Sequence, residues 1–201
     1  MANANGIQVV FGLGNPGPKY DQTRHNAGFW FVDALASAYG GVFRQEAKFA
    51  AQVCRIRVAG QALWLVKPQT YMNHSGRSVR TFNHFYRLDL EASLVVHDEI
   101  DLPPGRVKLK QGGGHGGHNG LRDIFAQCGQ AFLRLRLGVG HPGQRDNVIG
   151  YVLERPTRAE EQAIIATIEA STAVVPLLLE GQVERAMTRL HTFVAAPPEA
   201  V

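Results

Sequence analysis

Cysteine, charged residues and long apolar runs are all scarce in this sequence. Only 2 of its 201 residues are cysteine, and 19% are charged. Cys54 and Cys128 sit in apolar stretches and no CxxC pair occurs, so we expect reduced thiols and neither a disulfide framework nor a zinc site. The apolar runs are far shorter than the roughly 20 residues that cross a bilayer. The opening residues MANANGIQ lack the features of a signal peptide, so we expect a cytoplasmic protein without membrane association.

The composition of the sequence is typical of a single folded domain. Hydrophobic residues make up 45% of the chain, and its length fits a single domain over residues 1–201, with a frayed tail expected at 192–201. The net charge is +4, but residues 51–140 hold 12 Lys and Arg against 6 Asp and Glu. This excess fits a surface that faces a polyanion such as nucleic acid, and it also fits scattered, solvated side chains.

Short apolar runs alternate with helical periods along the chain. The predicted strands are Gln8–Leu13, Ala50–Val58, Gln61–Val66, Leu94–His97, Arg106–Lys110 and Leu133–Val139. The predicted helices are Asn26–Tyr39, Ser75–Tyr86, Gly120–Cys128, Thr157–Leu179 (kinked or split by Pro176) and Gln182–His191. This order predicts an α/β fold, a single-domain three-layer sandwich with a mixed, partly parallel central sheet. Active sites of such folds form beyond the carboxyl ends of strands, which directs attention to the loops Gly14–Tyr20, Pro68–Ser75, His97–Asp101 and Gly112–Asn119.

Two glycine-rich segments invite a nucleotide-binding interpretation. Gly12–Gly17 matches G-x-G-x-x-G after a predicted strand, but Pro16 and Pro18 prevent a helix from starting there to hold a pyrophosphate. The segment Gly112–Gly120 lacks the G-K-[ST] ending of a phosphate-binding loop. Its glycines allow a ligand to approach the backbone, or they form a flexible loop that ends in Asn119 as a helix N-cap.

Covalent and metal-dependent chemistry have little support in the sequence. The G-x-S-x-G pattern of serine hydrolases is missing, and neither cysteine has a histidine nearby. The segment His97–Glu99, together with His115 and His118, offers ligand types but no known metal spacing. His25, between a Gly/Pro loop and a predicted helix, is either a capping residue or a histidine that activates water with a carboxylate to orient its ring.

Four segments, taken together, resemble one family. They are FGLGNPGPKYDQTRHNAGFWFVD, KPQTYMNHSG, HDEIDLPPGRVKLKQGGGHGGHNGLRDI and RLRLGVGHPG, and in this order they closely resemble the bacterial-type peptidyl-tRNA hydrolases from about Gln8 to Leu190. The resemblance implies hydrolysis of the ester between a peptide and the 3′ ribose of tRNA. It further implies peptidyl-tRNA as the partner, no cofactor, no metal and a monomeric state.

The resemblance also assigns roles to individual residues. It implies that His25 is the water-activating base, that Asp98 orients it, and that Asn15 tests whether the α-amino group is acylated. The implied substrate-binding residues are Asn73 and Asn119 around the ester and the tRNA end, Tyr20 and Tyr71 beside the terminal adenosine or the adjacent chain, and Lys108, Lys110 and Arg136 at tRNA phosphates.

Two other functions remain open at this point. One is an RNA-binding module of the same fold without catalysis, against which the intact pair His25 and Asp98 argues. The other is a nicotinamide-dependent oxidoreductase that rests on Gly12–Gly17 alone. A turnover assay tests the first alternative, and a titration with NAD tests the second.

Overall fold

A computed structural model describes residues 6–144 and 147–196. Its strands are β1 (Val9–Gly12), β2 (Arg44–Glu46), β3 (Ala51–Val58), β4 (Gln61–Pro68), β5 (Ser93–Glu99), β6 (Val107–Gln111) and β7 (Leu133–Gly138). Its α-helices are α1 (Ala27–Ala38), α2 (Ser75–Tyr86), α3 (Asn119–Cys128), α4 (Val148–Val152), α5 (Arg158–Thr172), α6 (Val175–Leu179) and α7 (Val183–Thr192). No helix within the described residues is both long and apolar enough to span a membrane.

The seven strands form one sheet in the order β2-β3-β4-β1-β5-β7-β6. The central strands β4, β1, β5 and β7 are parallel, whereas β3 and β6 run antiparallel to their neighbours. One apolar cluster packs α1 and the C-terminal helices against one face of the sheet, and a second packs α2 and α3 against the other. The predicted three-layer α/β sandwich with a mixed, partly parallel sheet is therefore confirmed.

The side-chain period of strands explains how one sheet serves two cores. Val9 and Phe11 of β1 join the cluster under α2 and α3, while Val10 between them joins the cluster under α1. Successive side chains of a strand point to opposite faces, so a strand buried on both faces is apolar throughout. Phe11 meets Phe82 of α2 edge to face, with ring centroids 5.8 Å apart, an arrangement that adds to the free energy gained by burial.

The sequence patterns did not predict two short elements, and of the two alternatives for Thr157–Leu179 the structure has the split helix. Strand β2 and helix α4 were not predicted, because each is short and neither shows a clear period. The predicted helix Thr157–Leu179 is two helices, since α5 ends at Thr172 and Pro176 lies in the first turn of α6, where its missing N–H costs nothing. Past α7, the backbone N–H of Ala195 donates to the carbonyl of Gly105 at 3.1 Å, and residues 197–201 of the expected tail lie outside the described residues.

One of the four highlighted loops starts at an unexpected edge of the sheet. Strand β6 is antiparallel to β7, and Gln111 at the end of β6 pairs with Leu133 at the start of β7. The loop after β6 therefore begins beside the amino ends of the parallel strands, and not beside their carboxyl ends. The loop then crosses to the carboxyl ends of the parallel strands before α3 begins. Arg134 supports this crossing by donating to the carbonyls of Gly112 and Gly114, the latter at 2.8 Å.

Candidate active site

The crossing loop and the ends of β1 and β5 line a cavity of about 720 Å³. Its polar lining includes Asn15, His25, Asn73, Asp98, Glu99, His118 and Asn119. Its apolar lining includes Met72, Ile100, Val148, Ile149, Val152 and Leu153, and Tyr71 stands beside both groups. Six of the ten predicted site residues therefore line this cavity, namely Asn15, His25, Tyr71, Asn73, Asp98 and Asn119.

A histidine–carboxylate pair forms the centre of the polar lining. His25 lies in a 3-10 turn just before α1, and Asp98 is the sixth residue of β5. The Nδ1 atom of His25 lies 2.9 Å from Oδ1 and 3.0 Å from Oδ2 of Asp98. Both residues are buried. Asp98 therefore fixes the orientation of the ring and leaves its Nε2 as the nitrogen available to a molecule in the cavity.

A second histidine reaches the same carboxylate. The Nε2 atom of His118 lies 2.9 Å from Oδ1 of Asp98. Its Nδ1 accepts the backbone N–H of Leu121 at 3.3 Å and so caps the N-terminus of α3. Since Nδ1 is an acceptor, the neutral ring carries its proton on Nε2 and donates it to Asp98. His118, and not Asn119, is thus the N-cap of α3.

Burial and charge act in opposite directions on the pKa values of the pair. Burial alone raises the pKa of the Asp98 carboxyl, but the charge of His25 and the hydrogen bonds from both histidines outweigh this and hold the pKa below its usual value. Burial lowers the pKa of His25, yet the charge of Asp98 and its hydrogen bond raise the pKa of His25 above 6.5. Each group therefore stabilises the charged form of the other.

His97, the neighbour of Asp98, belongs to the support of the site and not to its chemistry. Its Nδ1 donates to the carbonyl of Asp98 at 2.8 Å, and its Nε2 is buried without a partner among the described residues. Burial is the largest cause that lowers the pKa of His97, to about 3. His97 is therefore neutral across the physiological range, and it adds no positive charge next to Asp98.

The side chain of Asn15 has a fixed orientation. Its Oδ1 accepts the backbone N–H of Met72 at 2.7 Å. Its backbone is held from the other side by Asn26, whose side chain accepts the N–H of Asn15 and donates to its carbonyl, both at 2.9 Å. The side-chain nitrogen of Asn15, Nδ2, makes no hydrogen bond to a described residue. Asn15 thus offers a hydrogen-bond donor to the cavity.

The other predicted substrate-binding side chains of the rim are more exposed. Asn73 and Asn119 both line the cavity, and Oδ1 of Asn119 accepts from Arg122 at 3.2 Å, which leaves its Nδ2 as a donor. Tyr20 does not line the cavity, but its ring meets that of Tyr71 edge to face with centroids 6.5 Å apart. The two tyrosines form a continuous aromatic edge at the mouth of the site.

The three predicted basic residues lie outside the cavity on the face of the sheet that carries α3. Lys108 and Lys110 are exposed on the edge strand β6, whereas Val107 and Leu109, which alternate with them, are buried. Arg136 lies opposite Lys108 on β7, and its Nε is 2.8 Å from Oε2 of Glu99. Glu99 lines the cavity, so this ion pair connects the basic residues to the site.

His25, Asp98 and His118 offer atoms of the types that bind metals, and these atoms are hydrogen-bonded to one another. The nearest ligand atoms of His25, Asp98 and His118 all lie within 4.8 Å of one another. Their donors and acceptors already pair with one another, and the second nitrogen of His118 caps α3. The geometry therefore matches a hydrogen-bonded histidine–aspartate–histidine cluster, in which one nitrogen of each histidine faces the carboxylate at a hydrogen-bond distance.

The nucleotide-binding interpretation of Gly12–Gly17 loses its basis in the structure. Helix α1 starts only at Ala27, so the helix that follows this loop does not begin at its last glycine to hold a pyrophosphate. Gly12 has a packing role instead, because an added Cβ would lie 2.3 Å from the carbonyl oxygen of Gly28 in α1. The glycine lets the helix pack closely on β1, which brings His25 next to β5.

Comparison with known proteins identifies the family of the chain. Residues 9–198 match the family model described as peptidyl-tRNA hydrolase. The peptidyl-tRNA hydrolase of Alkalilimnicola ehrlichii is 53% identical over 188 residues, which is 92% of this chain and 95% of that protein. The one from Neisseria meningitidis serogroup A is 49% identical over 190 residues, 94% of this chain and 99% of that protein.

Solved structures give the same result. The crystal structure of peptidyl-tRNA hydrolase from Acinetobacter baumannii superimposes with a TM-score of 0.94 at 46% sequence identity, covering 96% of this chain and 99% of that one. Both the sequence match and the structural match extend over nearly the whole of each protein. The chain is an enzyme of the hydrolase class and belongs to the peptidyl-tRNA hydrolase family.

Proposed function

We propose that the chain hydrolyses the ester between a peptide, or an N-blocked amino acid, and the 3′ ribose of tRNA, and thereby releases free tRNA. Water activated by His25 attacks the ester carbonyl directly, with no covalent intermediate and no cofactor. The observation that carries this proposal is the contact of Nδ1 of His25 with both oxygens of Asp98, at 2.9 and 3.0 Å. Family membership supplies the substrate class.

The proposed base gains its strength from the carboxylate behind it. With its Nδ1 proton donated to Asp98, His25 has a lone pair on Nε2 to take a proton from water. Asp98 then stabilises the imidazolium that forms, and the raised pKa of His25 expresses this stabilisation. The proton that His25 accepts is afterwards available to the 3′ oxygen of the leaving ribose.

Neutral donors at the cavity rim suit the charge that the attack creates. As water adds to the carbonyl, its oxygen becomes negative, and preorganised N–H donors lower the barrier. We assign this work to the amides of Asn73 and Asn119. Removing one such donor typically costs about 10²–10³-fold in kcat.

The lining also supports attack by water over a covalent route. The lining contains no Ser, Thr or Cys among the described residues. Burial raises the pKa of the Cys54 thiol, and it raises the pKa of Cys128 to about 11, so neither forms a thiolate readily. Ser75, close in sequence to Asn73, is buried and donates to the carbonyl of Met72 at 2.7 Å.

Asn15 is the proposed sensor of the blocked α-amino group. Because its Oδ1 is occupied by Met72, the side chain can only donate toward the substrate. A peptide or an N-acetyl group brings a carbonyl oxygen that accepts this bond. A free aminoacyl ester has an α-ammonium group at that place, which cannot accept a hydrogen bond, so Asn15 favours blocked substrates.

The proposal is tested by the rate at which tRNA is released from N-acetyl-aminoacyl-tRNA, with unblocked aminoacyl-tRNA as the control. We expect release from the blocked substrate and little from the free one. Rapid mixing of excess substrate with enzyme distinguishes the two routes, because an accumulating acyl-enzyme gives a burst of tRNA release. A burst equal to the enzyme concentration would contradict direct attack by water, and absence of turnover would contradict the proposed function.

A further inference from the structure

The residue directly before the proposed base is a buried arginine whose contacts lead away from the reacting atoms. Nη1 of Arg24 donates to the carbonyls of Tyr151 and Glu154, at 3.2 and 3.3 Å. Its Nη2 lies 2.8 Å from Oε2 of Glu160. The backbone N–H of Arg24 also donates to the carbonyl of Glu154, at 3.1 Å. One residue thus fastens two later segments of the chain to the turn that carries His25.

Both segments are themselves well anchored. The guanidinium of Arg24 stacks on the ring of Tyr151 in α4, 4.0 Å from its centroid, and the hydroxyl of Tyr151 donates to the carbonyl of Val139 at 2.7 Å. Glu160 belongs to the capping box of α5, where it accepts the backbone N–H of Thr157 at 2.7 Å. The same oxygen therefore serves the helix start and Arg24 together.

Helix α4 supplies an apolar wall to the cavity. Its residues Val148, Ile149 and Val152, with Leu153 that follows, line the site, and we call these four side chains the α4 wall. Ile149 is 68% exposed. A helix of five residues is not stable by itself, so the position of the α4 wall depends on the contacts that hold it, and Arg24 makes two of them with carbonyls at its C-terminal end.

The chemistry of Arg24 fits this task better than that of any other residue. A buried cation is costly unless its donors find partners, and in Arg24 both Nη atoms have them, while only Nε lacks a partner among the described residues. The planar guanidinium can bind two carbonyls, a carboxylate and an aromatic face at once, and an ammonium group cannot reproduce this geometry. The placement next to His25 means that a shift of α4 is a shift relative to the proposed base.

We propose that Arg24 is a positioning residue, which holds the α4 wall at a fixed distance from His25 so that apolar side chains of the peptide contact the wall while the ester lies beside the base. This inference rests on the proposed function, because it requires the ester to be placed at His25. It deepens that function by assigning the peptide part of the substrate to a particular surface. The enzyme then prefers substrates with a large apolar residue at the ester.

The test compares two substrates, N-acetylphenylalanyl-tRNA and N-acetylglycyl-tRNA, which differ in the side chain that would contact the α4 wall. For the wild-type chain we expect a lower KM with the phenylalanyl substrate. Arg24→Lys and Arg24→Gln should raise the KM of the phenylalanyl substrate about tenfold, the size of effect expected when apolar contacts in a pocket are lost. The KM of the glycyl substrate should change less than about twofold, since it has no side chain to lose contact.

Two further variants separate positioning from a general loss of structure. Ile149→Ser changes an exposed side chain of the α4 wall and should produce the same selective rise in KM in a stable protein. Arg155→Gln is the matched control, because Arg155 lies in the same segment and forms an exposed ion pair with Glu161 at 3.3 Å. It should leave the KM of both substrates unchanged.

A double variant completes the argument. If Arg24 acts through the α4 wall, combining Arg24→Gln with Ile149→Ser should raise the KM of the phenylalanyl substrate by less than the product of the two single effects. Equal changes for both substrates, or a strictly multiplicative double variant, would overturn the inference while leaving the hydrolase function intact. A wild-type chain that releases tRNA from neither substrate would instead overturn the proposed function.

Discussion

His25 and His118 share a single acceptor, since Nδ1 of His25 and Nε2 of His118 each lie 2.9 Å from Oδ1 of Asp98. The two histidines are not equivalent. His118 has its other nitrogen committed to the backbone N–H of Leu121, so its Nε2 donates to Asp98 and no nitrogen is left for a substrate. Only His25 retains a nitrogen for the cavity, and this asymmetry identifies which of the two is able to accept a proton.

Replacing the proposed base should abolish most turnover without preventing binding. For His25→Ala we expect kcat to fall about 10²–10⁴-fold, the usual contribution of a positioned general base. KM should change little, because the ring contributes to the transition state and not to substrate binding. Steady-state kinetics with N-acetyl-aminoacyl-tRNA measure both constants, and a variant that retained more than about a tenth of the wild-type kcat would exclude His25 as the base.

The pH dependence of kcat/KM should follow the ionisation of His25. The base works only when neutral, so activity is present above its raised pKa and is lost as the pH falls through that value, which lies above 6.5. Asp98→Asn removes the charge that raises the pKa and leaves burial, which lowers it. The acidic limb of the profile should therefore move to lower pH, and its plateau should fall at least about tenfold because the ring is no longer held in the productive tautomer. A limb at the wild-type position would mean that Asp98 does not control His25.

His118 performs two tasks that a pair of variants can separate. His118→Ala removes both the N-cap of α3 and the donor to Asp98, whereas His118→Asn restores a good capping side chain that is too short to reach the carboxylate. We expect the alanine variant to lose about 1 kcal/mol of stability and the asparagine variant to lose much less. Both should lose similar amounts of kcat. Thermal unfolding and kinetics on the same samples make the comparison, and recovery of kcat in His118→Asn would show that only the cap matters.

Asn15→Asp should weaken the distinction between blocked and free substrates. The aspartate keeps an oxygen for the N–H of Met72 but replaces the donor with a negative charge, which attracts an α-ammonium group and repels a carbonyl oxygen. The ratio of kcat/KM for N-acetyl-aminoacyl-tRNA over aminoacyl-tRNA should fall by roughly tenfold or more. Asn15→Ala is the control that removes the donor without adding charge, and it should lower the ratio less. An unchanged ratio in both would assign the sensing to another residue.

The sequence predicted every described strand except the short β2, and most helices, because burial imposes a clear period on them. The alternation of Lys108 and Lys110 with Val107 and Leu109 is an example, and the strand has that pattern of burial. The direction of a strand leaves no comparable signal. The loop after β6 was therefore grouped with loops at the carboxyl ends of parallel strands, although β6 is antiparallel.

The site was predictable where motifs are contiguous and not where it depends on long-range contacts. His25, Asp98 and Asn15 each lie in a recognisable segment, and all three line the cavity. His118 was noted only as a possible metal ligand, because nothing in the sequence shows that its ring reaches Asp98, 20 residues earlier. Arg24 was not singled out at all, since its partner Glu160 lies 136 residues away.

The role of the basic residues on β6 and β7 is best tested by salt dependence, because the structure makes them unequal. Arg136 is paired with Glu99, while Lys108 and Lys110 are exposed and form no ion pair among the described residues. Lys108 and Lys110 are two residues apart on a strand, so their side chains leave the backbone about 7 Å apart. This spacing suits neighbouring phosphates. Free cations release more counterions from tRNA than a cation already neutralised by a carboxylate.

Lys110→Ala should therefore raise KM for full-length peptidyl-tRNA and flatten the dependence of log KM on log salt by about 0.7 to 0.9, the contribution of one phosphate contact. The kcat should stay the same, because a phosphate contact is made equally in the ground state and in the transition state. Arg136→Ala should change the slope less than Lys110→Ala. The control is Arg57→Ala, which removes an equal charge from β3, five strands and about 24 Å across the sheet. If Arg57→Ala flattened the slope as much as Lys110→Ala, the effect would reflect net charge alone, and the assignment of Lys110 to a tRNA phosphate would be wrong.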